Sequence, residues 1–279
     1  MLKIGLIGAG RWGKNYIKTI SKMKQAQLIW VCTKNSNIFN ESAYKEIDCV
    51  IIATPSDTHY FIAKDALLHN KHVLCEKPLT KNLKETEELI SLAHEQNKVL
   101  MVGHEYLYHS GIIALKKIIQ HSELGKINYL VFERKGMHEN VDDVLWEVGP
   151  HDIYTSMFLL KDNDLKIENY EGDKHNYSIV LKSVKSDTRI FISISSNYPE
   201  KIRKLKVVGD KLLAYFDEKS LRITELDDTL IKEIPHSKKS PLENQCNLFF
   251  NAINYKKHYV ALNQESAVNT IRMLEKLSK

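Results

Sequence analysis

The chain has 279 residues and a formal net charge of +5, with 43% hydrophobic and 27% charged residues. That is an ordinary soluble composition, and a length that suits two domains. Apolar runs such as Val50-Ile51-Ile52-Ala53 are far too short for a membrane span, and the chain opens straight into a strand without a leader, so a cytoplasmic protein is expected.

The positive balance does not amount to a nucleic-acid platform. The doublets Lys116-Lys117, Lys238-Lys239 and Lys256-Lys257 lie far apart, with no aromatic interleaving. A mild excess of cations instead suits an anionic cofactor or substrate. Cys32, Cys49, Cys75 and Cys246 have no metal-like spacing, and three lie in or beside apolar strands, as expected of buried thiols in a reducing compartment. Histidines such as His69, His72, His94, His121, His175, His236 and His258 do not cluster as ligands, so no metal is expected.

In chain order, Leu2 to Ile7 reads as an apolar strand, and Gly8-Ala9-Gly10-Arg11-Trp12-Gly13 closes it. Gly8 suits the tight turn, Gly10 lets the backbone approach a pyrophosphate, and Gly13 lets the next helix pack closely. Residues 14–23 read as that helix, its N-terminus offering N–H groups and a positive dipole end to phosphates. The second strand, 27–32, ends about 20 residues past the last glycine, where an acid would hold the 2′-hydroxyl of NAD. Thr33, Lys34, Asn35 and Ser36 stand there instead, which favours NADP(H) over NAD(H).

The segment 38–44 is brief and poorly defined. Strand 49–53, helix 57–69, strand 72–75, helix 82–96 and strand 99–102 follow, and this alternation predicts a parallel, doubly wound sheet. The strand 72–75 ends in Glu76-Lys77-Pro78, placing one lysine at the carboxyl end of a sheet strand, where open α/β sheets bind ligands.

Beyond residue 105 the pattern changes. Helices are expected over 111–120 and 148–160, and a strand begins at 128. From 165 to 234 strand follows strand, at 177–181, 189–195, 205–208, 212–216, 221–225 and 230–234, as in a meander with one face buried. Helices 242–253 and 266–277 close the chain. The fold class expected is α/β: an N-terminal Rossmann dinucleotide-binding domain, 1–120, followed by a C-terminal α/β domain, 121–279, with a large, mainly antiparallel sheet for substrate binding and oligomerisation. An exposed sheet face, at Ile190, Ile192 and Ile194 or their alternates, would pair copies into a homodimer or homotetramer.

Several strings resemble the glucose–fructose oxidoreductase / inositol dehydrogenase (Gfo/Idh/MocA) family. They include Ile7-Gly8-Ala9-Gly10-Arg11-Trp12-Gly13-Lys14-Asn15, Ala53-Thr54-Pro55 with His59, Cys75-Glu76-Lys77-Pro78-Leu79, Val102-Gly103-His104 and Trp146-Glu147-Val148-Gly149-Pro150-His151-Asp152. The resemblance implies NAD(P)-dependent oxidation or reduction at a sugar or cyclitol carbon. It implies Lys77 and His151 as catalytic residues. Residues 8–13, Thr33, Lys34, Ala53, Thr54, Pro55, His59, Glu76 and Lys77 would hold the cofactor. The family's acid four residues before the histidine is usually Asp; here it is Glu147, and Tyr154 replaces an acid found in some members three residues after it.

Hydride transfer at a carbinol carbon needs a proton moved at its oxygen. His151 is suited to that by its ordinary acidity range, and Glu147 or Asp152 could orient it. Lys77, positioned by Glu76, could stabilise a developing alkoxide. His104, Tyr106 and Asn140 are candidates to touch the substrate. The expected function is thus an oxidoreductase acting on a sugar or nucleotide-linked sugar. The alternatives are an NAD-dependent glycoside hydrolase on the same fold, or a regulator that binds the nucleotide without catalysis.

Overall fold

The computed structural model describes residues 1–33, 41–137, 142–237, 239–255 and 259–279, without the side chains at 41 and 259–262. By internal contacts the chain forms two compact units, one of 1–105 with 242–272 and one of 106–241 with 273–279. The sequence suggested a single cut after residue 120. The structure instead returns most of the C-terminal segment to the first unit.

The first unit runs β1 (Leu2–Ile7), α1 (Arg11–Ile20), β2 (Ala26–Cys32), α2 (Glu41–Lys45), β3 (Cys49–Ile52), α3 (His59–Leu68), β4 (His72–Glu76), α4 (Leu83–Glu95) and β5 (Leu100–Gly103). Its strands pair in the order β2-β1-β3-β4-β5, every pair parallel. The strands are apolar because helices cover both faces of such a sheet; all four residues of β3 are buried. Helix α1 begins three residues before the position expected from its apolar face, since the glycine loop itself supplies the first turn.

The second unit begins with α5 (Ser110–Gln120), β6 (Ile127–Met137), α6 (Val144–Glu147) and α7 (Gly149–Leu160). Seven strands follow: β7 (Leu165–Asp173), β8 (Asn176–Ser183), β9 (Arg189–Ser195), β10 (Asn197–Gly209), β11 (Leu213–Phe216), β12 (Ser220–Thr224) and β13 (Leu230–Pro235). Among the described residues they and β6 form one sheet, ordered β13-β12-β11-β10-β6-β9-β8-β7. It is not a plain meander. Strand β6 inserts between β9 and β10, parallel to β9, while the other pairs are antiparallel. Alternation within 165–234 could not show this, because the inserted strand lies some 30 residues upstream.

Alternation does decide the faces. Leu130, Phe132, Ile190, Ile192, Ile194, Leu205, Val207 and Phe216 are buried. Helices α5 and α7 pack against β11, β12 and β9. The isoleucines expected on an exposed face are therefore the covered ones, and their alternates face outward. Phe191 and Tyr129 are each 38% exposed. They meet edge to face at 6.0 Å between ring centroids.

The chain ends in α8 (Pro241–Tyr255) and α9 (Tyr259–Leu277). Helix α9 explains why this segment belongs to the first unit. Strand β5 is the edge of the parallel sheet, and its backbone is satisfied by amide side chains. Val102 N donates to Asn263 Oδ1 at 2.8 Å, Asn263 Nδ2 donates to Val102 O at 3.1 Å, and Gln264 Nε2 donates to Leu100 O at 3.0 Å. An open strand edge is thereby closed. No helix among the described residues is long and apolar enough to cross a membrane.

Candidate functional site

The glycine loop links β1 to α1. Gly8 has φ of +98°, and a Cβ there would lie 2.5 Å from Ala53 O. A Cβ on Gly13 would lie 1.9 Å from Gly8 O, so glycine is required for the helix to approach the strand. Gly10 differs: a Cβ there would meet nothing within 4 Å. A glycine that its own protein does not require leaves backbone open to something else. With Arg11 and Trp12 starting α1 and no acidic side chain in its first turn, the loop fits a pyrophosphate. Thr33 is exposed at the end of β2, where the ribose would lie. Lys34, named for the same role, lies outside the described residues.

The exit of β3 carries Ala53, Thr54 and Pro55, and the exit of β4 carries Lys77 and Pro78, joined by a cis peptide. His59 links the two. It is 1% exposed; its Nδ1 lies 2.8 Å from Pro78 O and its Nε2 2.9 Å from Thr54 O. A candidate cofactor contact, it presents both ring nitrogens to loop carbonyls.

Glu76 precedes the lysine as a buried carboxyl group. Its Oε1 accepts a 2.6 Å hydrogen bond from the Tyr16 hydroxyl, which in turn accepts one of 2.9 Å from Gln245 Nε2. Its Oε2 accepts weakly from Lys77 N at 3.4 Å. Burial raises the Glu76 pKa, and the bond from Tyr16 works against that rise. Lys77 itself is half-buried. His104, at the end of β5, is 3% exposed. Burial, with the charge of Lys77, pushes its pKa down to about 3, so it is a neutral group beside the lysine.

In the second unit, His151 sits in the first turn of α7 and is partly exposed. The Tyr106 ring packs edge-on to it at 6.4 Å between centroids. The same ring lies 4.4 Å from the Arg134 guanidinium. Arg134 comes from the covered face of β6, and both its Nε and Nη2 donate to Asp152 Oδ1, at 2.9 and 2.7 Å. Asp152 is 1% exposed. The carboxylate next to the histidine in sequence is committed to an arginine, and reaches His151 through Arg134 and Tyr106. Glu147 ends α6, two residues before α7 begins, and is partly exposed. Asn140 lies outside the described residues. Among those described, no three His, Cys, Asp or Glu gather as metal ligands.

Sequence reasoning missed Arg134, Tyr16 and Gln245. Arg134 had a legible signal, an arginine on the inward-facing register of an alternating strand, which demands a buried acid. Tyr16 shares the buried face of α1 with Ile20, a spacing that marks packing and not the partner of its hydroxyl. Gln245 is more than 200 residues away, and nothing local marks it.

Residues 2–104 match the family described as oxidoreductase family, NAD-binding Rossmann fold. A UDP-N-acetylglucosamine 3-dehydrogenase of Acidithiobacillus ferrooxidans is 29% identical over 175 residues, 57% of this chain and 54% of that protein. A glucose-6-phosphate 3-dehydrogenase of Bacillus subtilis is 32% identical over 141 residues, 46% of this chain and 40% of that one. The matches thus span about half the length of these curated relatives. Over the whole chain, the solved structure of the A. ferrooxidans enzyme has a TM-score of 0.86 at 21% identity, covering 99% of this chain and 96% of that one, which shows the common fold. Residues 2–104, just over a third of the chain, thus match a family of NAD-binding oxidoreductases, and the chain as a whole shares the fold of the solved structure.

Proposed function

We propose that the protein is an NAD(P)-dependent dehydrogenase acting on a CH–OH carbon of a sugar or nucleotide-linked sugar. The observation that carries this reading is the first unit's pairing of an open glycine cradle at Gly10 with a lysine set on a buried carboxyl group at the exit of β4. The names of the two curated relatives, one acting on a sugar phosphate and one on a UDP-linked sugar, support the substrate class.

When bound, the nicotinamide gives or takes the hydride. The chain's own residues manage the oxygen. Lys77 donates to the reacting hydroxyl and stabilises negative charge that develops on it. His151 accepts the hydroxyl proton in oxidation and returns it in reduction. Arg134 and Asp152 hold the Tyr106 ring against His151 and limit how the imidazole can turn. Glu147 orients His151 from the preceding helix, and His104, Tyr106 and Asn140 contact the sugar. Ala53, Thr54 and Pro55 would help hold the cofactor.

Turnover of a panel of UDP-sugars and hexose phosphates with NADP+ and NAD+ tests the reading. With an active pair, Lys77→Ala and His151→Ala should each lower turnover by on the order of 10²-fold or more, without additivity. Cofactor affinity should change little. Normal turnover in His151→Ala would remove the histidine from the mechanism. NADP(H) is the preferred cofactor, because Thr33 leaves no carboxylate to repel a 2′-phosphate; Thr33→Asp should move the preference toward NAD(H), and tighter binding of NAD(H) by the unaltered protein would contradict it. The exposed face around Tyr129 and Phe191 pairs copies into a dimer or tetramer, and a monomer by light scattering at micromolar concentration would refute that.

A further inference from the structure

We infer that His59 carries a proton on both ring nitrogens and acts as a positioning residue, a charged clamp that ties the exit loop of β3 to the exit loop of β4. The geometry leaves little room. Nδ1 lies 2.8 Å from Pro78 O, and Nε2 lies 2.9 Å from Thr54 O. Both partners are backbone carbonyls, which accept and cannot donate. A neutral imidazole has one N–H. In that state one of the two contacts would set a nitrogen lone pair against a carbonyl lone pair, in a ring that is 1% exposed. Two N–H donors satisfy both, and bonds from a charged donor are about twice as strong as neutral ones.

The position gives the clamp its use. Helix α3 starts at His59, so the ring is anchored by a ten-residue helix while its two nitrogens reach separate loops. One loop is Thr54-Pro55; the other is Lys77-Pro78. Thr58 Oγ1 adds to the first loop, donating to Pro55 O at 2.7 Å. Asp57, two residues before His59 in the chain, pairs with Lys81 at 2.8 Å, and Glu76 and Lys77 directly precede Pro78 in the β4 exit. The clamp therefore fixes where Lys77 stands relative to the Thr54-Pro55 loop proposed to hold the cofactor. That purpose rests on the proposed function; the double protonation does not.

Two measurements on the full-length protein test this. Long-range ¹H–¹⁵N spectra at pH 7, with His59 assigned by its loss in His59→Asn, should show both ring nitrogens in the protonated range. One nitrogen in the unprotonated range overturns the charge. Amide hydrogen exchange then reads the clamp, using the different reach of two amides. His59→Asn keeps a donor near Nδ1 and should hold the β4 exit while the β3 exit exchanges faster, by roughly tenfold. His59→Gln keeps a donor near Nε2 and should reverse the pattern. Equal exchange of both loops in both variants, with the spectra unchanged elsewhere, overturns the clamp. If neither variant folds, the ring spectra of the unaltered protein, assigned by elimination from variants of the other histidines, still decide whether both nitrogens are protonated. If the ring is doubly protonated and no sugar is turned over, the clamp stands and the proposed function fails.

Discussion

The two units bury polar groups in opposite ways. The first satisfies them with hydroxyl, amide and carboxyl groups in chains that end on backbone. Gln245 and Tyr16 lead to Glu76, and Asn263 and Gln264 seal the edge of β5. The second buries a full ion pair, Arg134 with Asp152, beside its candidate histidine. Hydroxyl and amide donors hold Glu76 and the edge of β5 in place at modest energetic cost. A buried ion pair is far less forgiving, because either partner alone is an uncompensated charge.

The contrast predicts the largest effect in the second unit. Asp152→Ala should destabilise by about 3–5 kcal/mol, since it strands the Arg134 guanidinium. Urea unfolding of the variant measures it, and a loss under 1 kcal/mol would mean that water or another acid already serves the arginine. Tyr16→Phe should cost less, about 1–3 kcal/mol, by leaving Glu76 Oε1 and Gln245 Nε2 without their shared hydroxyl. It should also raise the Glu76 pKa further, because the bond it removes favours the ionised carboxylate. Infrared titration of the carboxyl band would reveal an unchanged value if the bond is unimportant.

The glycines sharpen the comparison within the first unit alone. Gly13→Ala should lower the melting temperature, because its Cβ would collide with Gly8 O; Gly10→Ala should not. Equal melting of the two variants would contradict the division of labour in the loop.

The smallest effect is in pH. Burial depresses His104 to about 3 and His72 and His109 to about 4, from an ordinary value near 6.5. Unfolding lets each take up a proton that the folded state refuses. The stability they allow is therefore complete above about pH 6.5 and falls as pH drops toward 4. His104→Gln should flatten the thermal-melting profile between pH 7 and 5. An unchanged slope would show that the ring takes up its proton as readily in the fold as in the unfolded chain.

What was legible in the sequence follows the same contrast. The glycine loop, the strand exits and Lys77 were readable because each depends on neighbours a few residues away. The strand pattern of 189–195 was readable down to its ends. What escaped was non-local. The parallel insertion of β6, the return of α9 to β5, and the Arg134–Asp152 pair all join segments whose meeting is set by topology. His59 shows the limit within a motif. The family resemblance implied a place for it in the cofactor region, yet it could not say that the ring nitrogens face loop carbonyls.

The most direct test is fluorescence titration of NADPH and NADH into the unaltered protein and into Gly10→Ala, with melting temperature as the control for folding. Saturable binding by the unaltered protein, weakened at least about tenfold in a Gly10→Ala variant that melts normally, about 1.4 kcal/mol, is the expected result. A folded, unaltered protein that binds neither nucleotide, or a Gly10→Ala variant that binds both as well, would contradict the assignment of the glycine loop as the dinucleotide site.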